Sequence, residues 1–196
     1  MTSRYRKIKQ AGDRLIAVIL FIVLLPVFIL IVALYFFLAT TPVIFKQRRI
    51  GINNTIFTLY KFRTLRNTGS TLQERTFWLG NFLRFTSLDE LPQLINILKG
   101  DMSFIGPRPL PEEYLPLFSD VQRRRHEVLP GITGLAQING RHTLAWKDKF
   151  AFDIYYVEHV SFVLDFTILV RTIVLILSFK KDISLEEKPF TRDNHA

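Results

Sequence analysis

Between Leu15 and Ala39 the chain reads LIAVILFIVLLPVFILIVALYFFLA, 25 residues with no charge and one proline. As a continuous helix this run would extend ~37 Å, enough to cross a ~30 Å hydrocarbon core with some tilt. Pro26 interrupts it. Proline has no N–H, so the carbonyl of Ile22 loses its partner, and the ring clashes with the same turn. Only about eleven residues of the run precede it, ~16 Å of helix, roughly one leaflet deep. The pattern predicts a helix that enters a membrane, breaks at Pro26 and leaves on the side it entered. A tilted span is the alternative.

Beyond the run the pattern shortens. Val43–Gln47 and Thr55–Phe62 are β-rich stretches around a Gly/Asn turn at Gly51–Asn54, which predicts a hairpin. Asn67–Ser70 reads as a loop. QERTFWLGNFLRFTSLDELPQLINILKG predicts two helical pieces meeting near Thr86 and Ser87. Leu91, Leu94, Ile95 and Leu98 form one apolar face of the second, and Gly100 stops it. Four prolines in GPRPLPEEYLPLF predict extended chain, Asp120–Leu129 a short polar helix, and Ala145–Val157 another helix. Phe166–Phe179 is too short to span and carries Arg171. It predicts a helix lying along a membrane surface, with Lys180 and Lys181 at headgroup level; a buried core helix is the alternative.

Charge sharpens this picture. The net charge is +9, and residues 1–50 hold +7 of it: Arg4, Arg6, Lys7, Lys9 and Arg14 before the apolar run, Lys46, Arg48 and Arg49 after it, against Asp13 alone. A spanning helix should carry its basic residues mainly on one side, whereas these bracket the run. Anionic headgroups attract such clusters by roughly 1 kcal/mol per charge. The basic excess forms no stripe on a soluble face, so the reading includes membrane lipid and no nucleic acid. With no cysteine, neither disulfides nor thiolate metal sites are available.

The chemistry concentrates in TSLDELPQL. Proline is tolerated only in the first turn of a helix, so Pro92 places a helix start near Leu88 or Asp89. Asp89 and Glu90 then stand beside free N–H groups, a place that suits magnesium and an approaching phosphate. The S-x-x-E spacing of Ser87 and Glu90 is equally that of a capping box. Lys61 and Arg63 share a face of the second strand, Arg84 precedes Asp89 by five residues, and Arg108 is stiffened between two prolines. Arg141 ends a glycine-rich turn. Each could be a solvated surface charge; together with a carboxylate pair they suggest a site for a diphosphate. The four histidines have no metal-ligand spacing.

The segments PVIFKQRRIG, YKFRTL, LRFTSLDELPQLINILKGDMSFIGPRP, RRHEVLPGITGLAQINGR and DIYYVEHVSFVLDFTIL, in this order along nearly the whole chain, resemble the bacterial sugar transferase family, the monotopic phosphoglycosyl transferases. The resemblance implies an α+β, mostly helical fold. Residues 1–42 would form a basic segment and re-entrant membrane helix; residues 43–196 would form a catalytic domain with a small β-hairpin and amphipathic surface helices, on the cytoplasmic face of a bacterial inner membrane. It implies transfer of a sugar 1-phosphate from a UDP-sugar to polyprenyl phosphate, with release of UMP and a need for Mg2+. Asp89 would be the nucleophile and a metal ligand, Glu90 its partner, and Lys61, Arg63, Arg84, Arg108, Arg141 and Asp153 would bind substrate. Asp13 matches the family's aspartate before the membrane run. Leu25-Pro26 replaces the family's Ser-Pro pair at the kink, and Leu65 its usual methionine. The reading leaves room for a homo-oligomer.

Overall fold

The computed structural model describes residues 3–38, 42–140, 144–178 and 189–191. Helices α1 (Ser3–Val23) and α2 (Leu25–Phe37) follow each other with a 58° bend at Leu24. Pro26 lies in the first turn of α2, where its missing N–H costs nothing. No single described helix is long and apolar enough to cross a membrane; the bent pair together has the length and composition. The hairpin follows as β1 (Ile44–Ile50) and β2 (Ile56–Phe62), antiparallel with Phe45 opposite Lys61 and Arg49 opposite Phe57. Asn53 and Asn54 take positive φ in the turn, a conformation asparagine tolerates better than most residues.

Next come α3 (Leu72–Arg75), α4 (Trp78–Thr86), α5 (Gln93–Lys99) and β3 (Ser103–Ile105). The chain continues through α6 (Asp120–Arg123), β4 (Gly131–Thr133), α7 (Leu135–Ile138), α8 (Trp146–His159) and α9 (Phe162–Leu177). The architecture is α+β and mostly helical. Strands β3 and β4 pair in parallel, which the sequence pattern did not predict. The polar helix expected over Asp120–Leu129 is α6 continued by a 3₁₀ turn, Arg124–Glu127. Arg141, Lys180 and Lys181 lie outside the described residues.

The apolar segments pack in two ways. On α2, Ile31 and Tyr35 are buried against Phe62, Phe77, Leu79 and Leu83, so its inner face belongs to the same core as the hairpin and α4. Each such fully buried large side chain stabilises by about 1.5–3 kcal/mol. Other residues of the pair, among them Leu15, Ile22, Ile29, Leu30 and Phe37, are exposed. Helix α9 repeats this division: Asp165 and Ile168 face inward, while Phe162, Phe166, Ile173 and Leu177 face out. An outward apolar face contradicts a buried core helix and leaves the surface-helix expectation standing. Asp165 ties α9 to the start of the chain, accepting hydrogen bonds from Tyr5 Oη (2.8 Å), Lys9 Nζ (2.7 Å) and Tyr156 Oη (2.7 Å). Asp13 accepts from Ser103 Oγ at 2.6 Å, fixing α1 to β3.

Candidate active site

Helix α5 lies against β2, and Asn96 joins them. Fully buried, it accepts from the Tyr60 N–H (3.1 Å) and donates to the Thr58 carbonyl (2.7 Å), satisfying the outer edge of the strand. This staple sets the distance between Lys61 on β2 and the turn that precedes α5. In that turn Ser87 takes φ 58° as the C-cap of α4, and Leu88–Glu90 coil as a single 3₁₀ turn before α5 begins. The capping-box reading is overturned: the Ser87 side chain makes no cap hydrogen bond. A serine already closing one helix in the left-handed conformation cannot also cap the next from the extended one.

Glu90 turns instead toward cations. Its Oε1 lies 2.6 Å from Lys61 Nζ and 3.5 Å from Arg108 Nη1, while Asp89 Oδ2 is 4.0 Å from Lys61 Nζ. The two carboxyls therefore differ. Burial pushes the Asp89 carboxyl up to about 6; Lys61 opposes this and the neighbouring Glu90 charge adds to it. Burial would raise Glu90 as well, but the charges and hydrogen bonds of Lys61 and Arg108 outweigh it and hold that carboxyl down at about 2. Glu90 is a fixed anion and Asp89 the group that titrates. Such divergence between neighbouring acids marks sites where each has its own task.

Arg84, on α4, donates through Nη2 to Asn81 Oδ1 (2.6 Å), and its Nη1 is buried without a hydrogen-bond partner. Burial lowers its pKa, while the charge of Asp89 acts in the opposite sense. Arg108 is held from behind. A Cβ on Gly131 would collide with the backbone of Gly106, so only glycine lets β3 and β4 close up at the root of the Pro-Arg-Pro loop. Buried Arg125 donates to the Arg108 carbonyl (2.8 Å), and through Nε (2.9 Å) and Nη2 (2.7 Å) to Asp153 Oδ2.

The structure thus gathers Asp89, Glu90, Lys61 and Arg108, with Arg84 nearby. Arg63 departs from the expected common face with Lys61: β2 ends at Phe62, and the Arg63 guanidinium turns to the Pro42 carbonyl (2.9 Å) and Asn67. Asp153, expected at the substrate, is buried in its pair with Arg125 and reaches the site only through Arg108. Arg141 falls among the residues not described. Asn96 and Arg125 were not singled out from sequence. Asn96 carried a signal, an amide inside the apolar helix LPQLINILKG; Arg125 carried none that separates it from Arg123 and Arg124. Among the described residues no three or more His, Cys, Asp or Glu side chains cluster to cage a metal. The residues nonetheless fit magnesium, which binds through one or two carboxylates plus substrate phosphates, since among the described residues no Lys or Arg pairs with Asp89 more closely than Lys61, at 4.0 Å.

A recessed acidic pair of unequal acidity is fringed by lysine and arginine and adjoins a bent apolar helix pair. Comparison with known proteins gives the family. Residues 4–179 match the bacterial sugar transferase family model, and the chain belongs to that family. It is 51% identical over 143 residues to an uncharacterized sugar transferase, EpsL, of Bacillus subtilis (strain 168), covering 70% of this chain and 71% of that protein. It is 36% identical over 188 residues to the exopolysaccharide production protein ExoY of Rhizobium meliloti (strain 1021), covering 84% and 83%. Against the UDP-glucose:undecaprenyl-phosphate glucose-1-phosphate transferase of Escherichia coli (strain K12) it is 38% identical over 185 residues, 86% of this chain and 39% of that longer protein.

Proposed function

We propose that this chain transfers a sugar 1-phosphate from a UDP-sugar to polyprenyl phosphate, releasing UMP, by way of a covalent phospho-sugar on Asp89. The observation that carries the reading is the unequal pair: Glu90 is neutralised by Lys61 and Arg108, while Asp89 has, among the described residues, no cation nearer than Lys61 at 4.0 Å. At pH 7 and above Asp89 is ionised and able to act as a nucleophile.

In the first step an Asp89 oxygen attacks the phosphorus that bears the sugar. The bond from that phosphorus to the bridging oxygen breaks, and UMP departs with the electron pair. In the second step a phosphate oxygen of the polyprenyl acceptor attacks the same phosphorus, and Asp89 returns as a free carboxylate. The acceptor is already an oxyanion, so neither step needs a general base. Two anions must still meet, and unit charges ~4 Å apart repel by ~4 kcal/mol at an effective dielectric of 20. Lys61, Arg108 and the unpartnered Nη1 of Arg84 would offset this and the charge on UMP. Asp89 and the diphosphate would hold magnesium, which when bound screens the phosphate oxygens further.

The membrane side of the proposal follows from the exposed apolar faces. The bent α1–α2 pair enters one leaflet and returns, α9 lies along the surface, and the basic residues around them meet headgroups. A soluble nucleotide sugar and a lipid that cannot leave the bilayer then meet at headgroup level, on the cytoplasmic face of a bacterial inner membrane. The test is a panel of UDP-sugars with undecaprenyl phosphate and magnesium: UMP release from one of them is expected, and release from none overturns the proposal.

A further inference from the structure

Helix α2 divides its side chains sharply. Ile29, Leu30, Phe36 and Phe37 are exposed, while Tyr35 is fully buried. A buried phenol normally finds a hydrogen-bond acceptor, and Tyr35 Oη donates to the Arg63 carbonyl. Arg63 is held through its N–H too, which donates to the Val43 carbonyl at 2.8 Å. Lys61 lies two residues upstream, next to last in β2. The Tyr35 ring stands 6.2 Å from Phe62 and 6.1 Å from Phe77, in the cluster on which Leu88 and Leu91 pack. Leu88 and Leu91 flank Asp89 and Glu90, and the Asp89 carboxylate is among the charges the Tyr35 phenol feels. One side chain on the membrane helix thus touches the strand end beside Lys61 and the apolar bed beneath the carboxylate pair.

We propose that Tyr35 is a positioning residue: its hydroxyl pins the end of β2, and with it Lys61, to the second arm of the bent helix, so that the seating of that arm in lipid governs turnover. The inference rests on the transferase reading above. Phenylalanine would keep the ring and its packing and remove only the pin. Small displacements of a charge-stabilising group are costly to catalysis while leaving substrate affinity nearly intact.

The experiment compares full-length wild type with Tyr35→Phe in nanodiscs of short-chain and long-chain phosphatidylcholine, measuring UMP release per folded protein. The variant is expected to lose about tenfold in kcat, with KM for the UDP-sugar within about twofold, and wild-type kcat is expected to vary with lipid length more than that of the variant. Equal kcat and equal lipid dependence in the two proteins, even with a lower melting temperature for the variant, would overturn the inference and leave the transferase reading intact. A wild type that releases no UMP from any UDP-sugar removes both.

Discussion

Lys61 Nζ is shared unequally between two adjacent carboxylates, 2.6 Å from Glu90 and 4.0 Å from Asp89. With Arg108 it holds Glu90 ionised, while burial leaves Asp89 the weaker acid. Replacing Lys61 by methionine removes the shared cation, and Arg108, 3.5 Å from Glu90, acts on Asp89 only at longer range. The initial rate of UMP release should fall by about 10²–10³-fold. A Lys61→Met enzyme within about threefold of wild type would show that the lysine serves packing alone.

The pH dependence has a definite sign. As the proposed nucleophile Asp89 would attack only as the carboxylate, and burial holds its carboxyl up at about 6. The value of kcat/KM should therefore rise as pH climbs through about 6 and level off above. In Glu90→Gln the neighbouring negative charge is gone and Lys61 is freed for Asp89, so any residual activity should show its midpoint at lower pH. The same shift bears on stability. A carboxyl raised from 3.8 to about 6 on folding binds more protons in the folded state, so its contribution declines as pH rises across that window. Asp89→Asn should melt about 1–4 °C higher than wild type at pH 7, as thermal unfolding would show.

The Arg125–Asp153 pair stands behind Arg108 rather than at the reacting atoms. Breaking a buried ion pair on one side costs about 3–5 kcal/mol. Asp153→Ala should therefore lower the melting temperature markedly. Arg125→Lys keeps the charge but lacks the planar fork that serves Asp153 and the Arg108 carbonyl together. Assays on its folded fraction should show a raised KM for the UDP-sugar, because the Arg108 loop loses its anchor.

Several of these relationships were legible in the sequence and others were not, for physical reasons. The hairpin could be read because Gly51–Asn54 demands a turn between two β-rich stretches, and the turn is built on the positive φ of Asn53 and Asn54. Pro26 marked the break in the apolar run, and the bend falls two residues before it. The acidic pair stood out by its place before Pro92. The parallel β3–β4 pair did not, since strands of three residues give no alternation to detect. Ser87 misled because a capping box and a left-handed C-cap can share the same residues, and only the geometry of α4 separates them. The roles of Asn96, Arg125 and Asp153 come from contacts between residues 17 to 38 positions apart, which no local pattern encodes.

The membrane arrangement gives a prediction of its own. The chain has no cysteine, so single cysteines can be introduced without background. Lys7 and Lys46 are exposed and lie on either side of the apolar run. Lys7→Cys and Lys46→Cys should both react with an impermeant maleimide in inverted inner-membrane vesicles and neither in intact spheroplasts. Reaction from opposite sides would establish a crossing helix.

The covalent step is the centre of the account, and isotope exchange tests it most directly. With a reactive UDP-sugar and magnesium but no polyprenyl phosphate, radiolabelled UMP should be incorporated into the UDP-sugar pool, because UMP would return to the proposed phospho-sugar on Asp89. Asp89→Asn should abolish that exchange. Turnover with acceptor present, but no exchange in its absence, would mean that the phosphoryl group passes directly between substrates and that Asp89 never bonds to it.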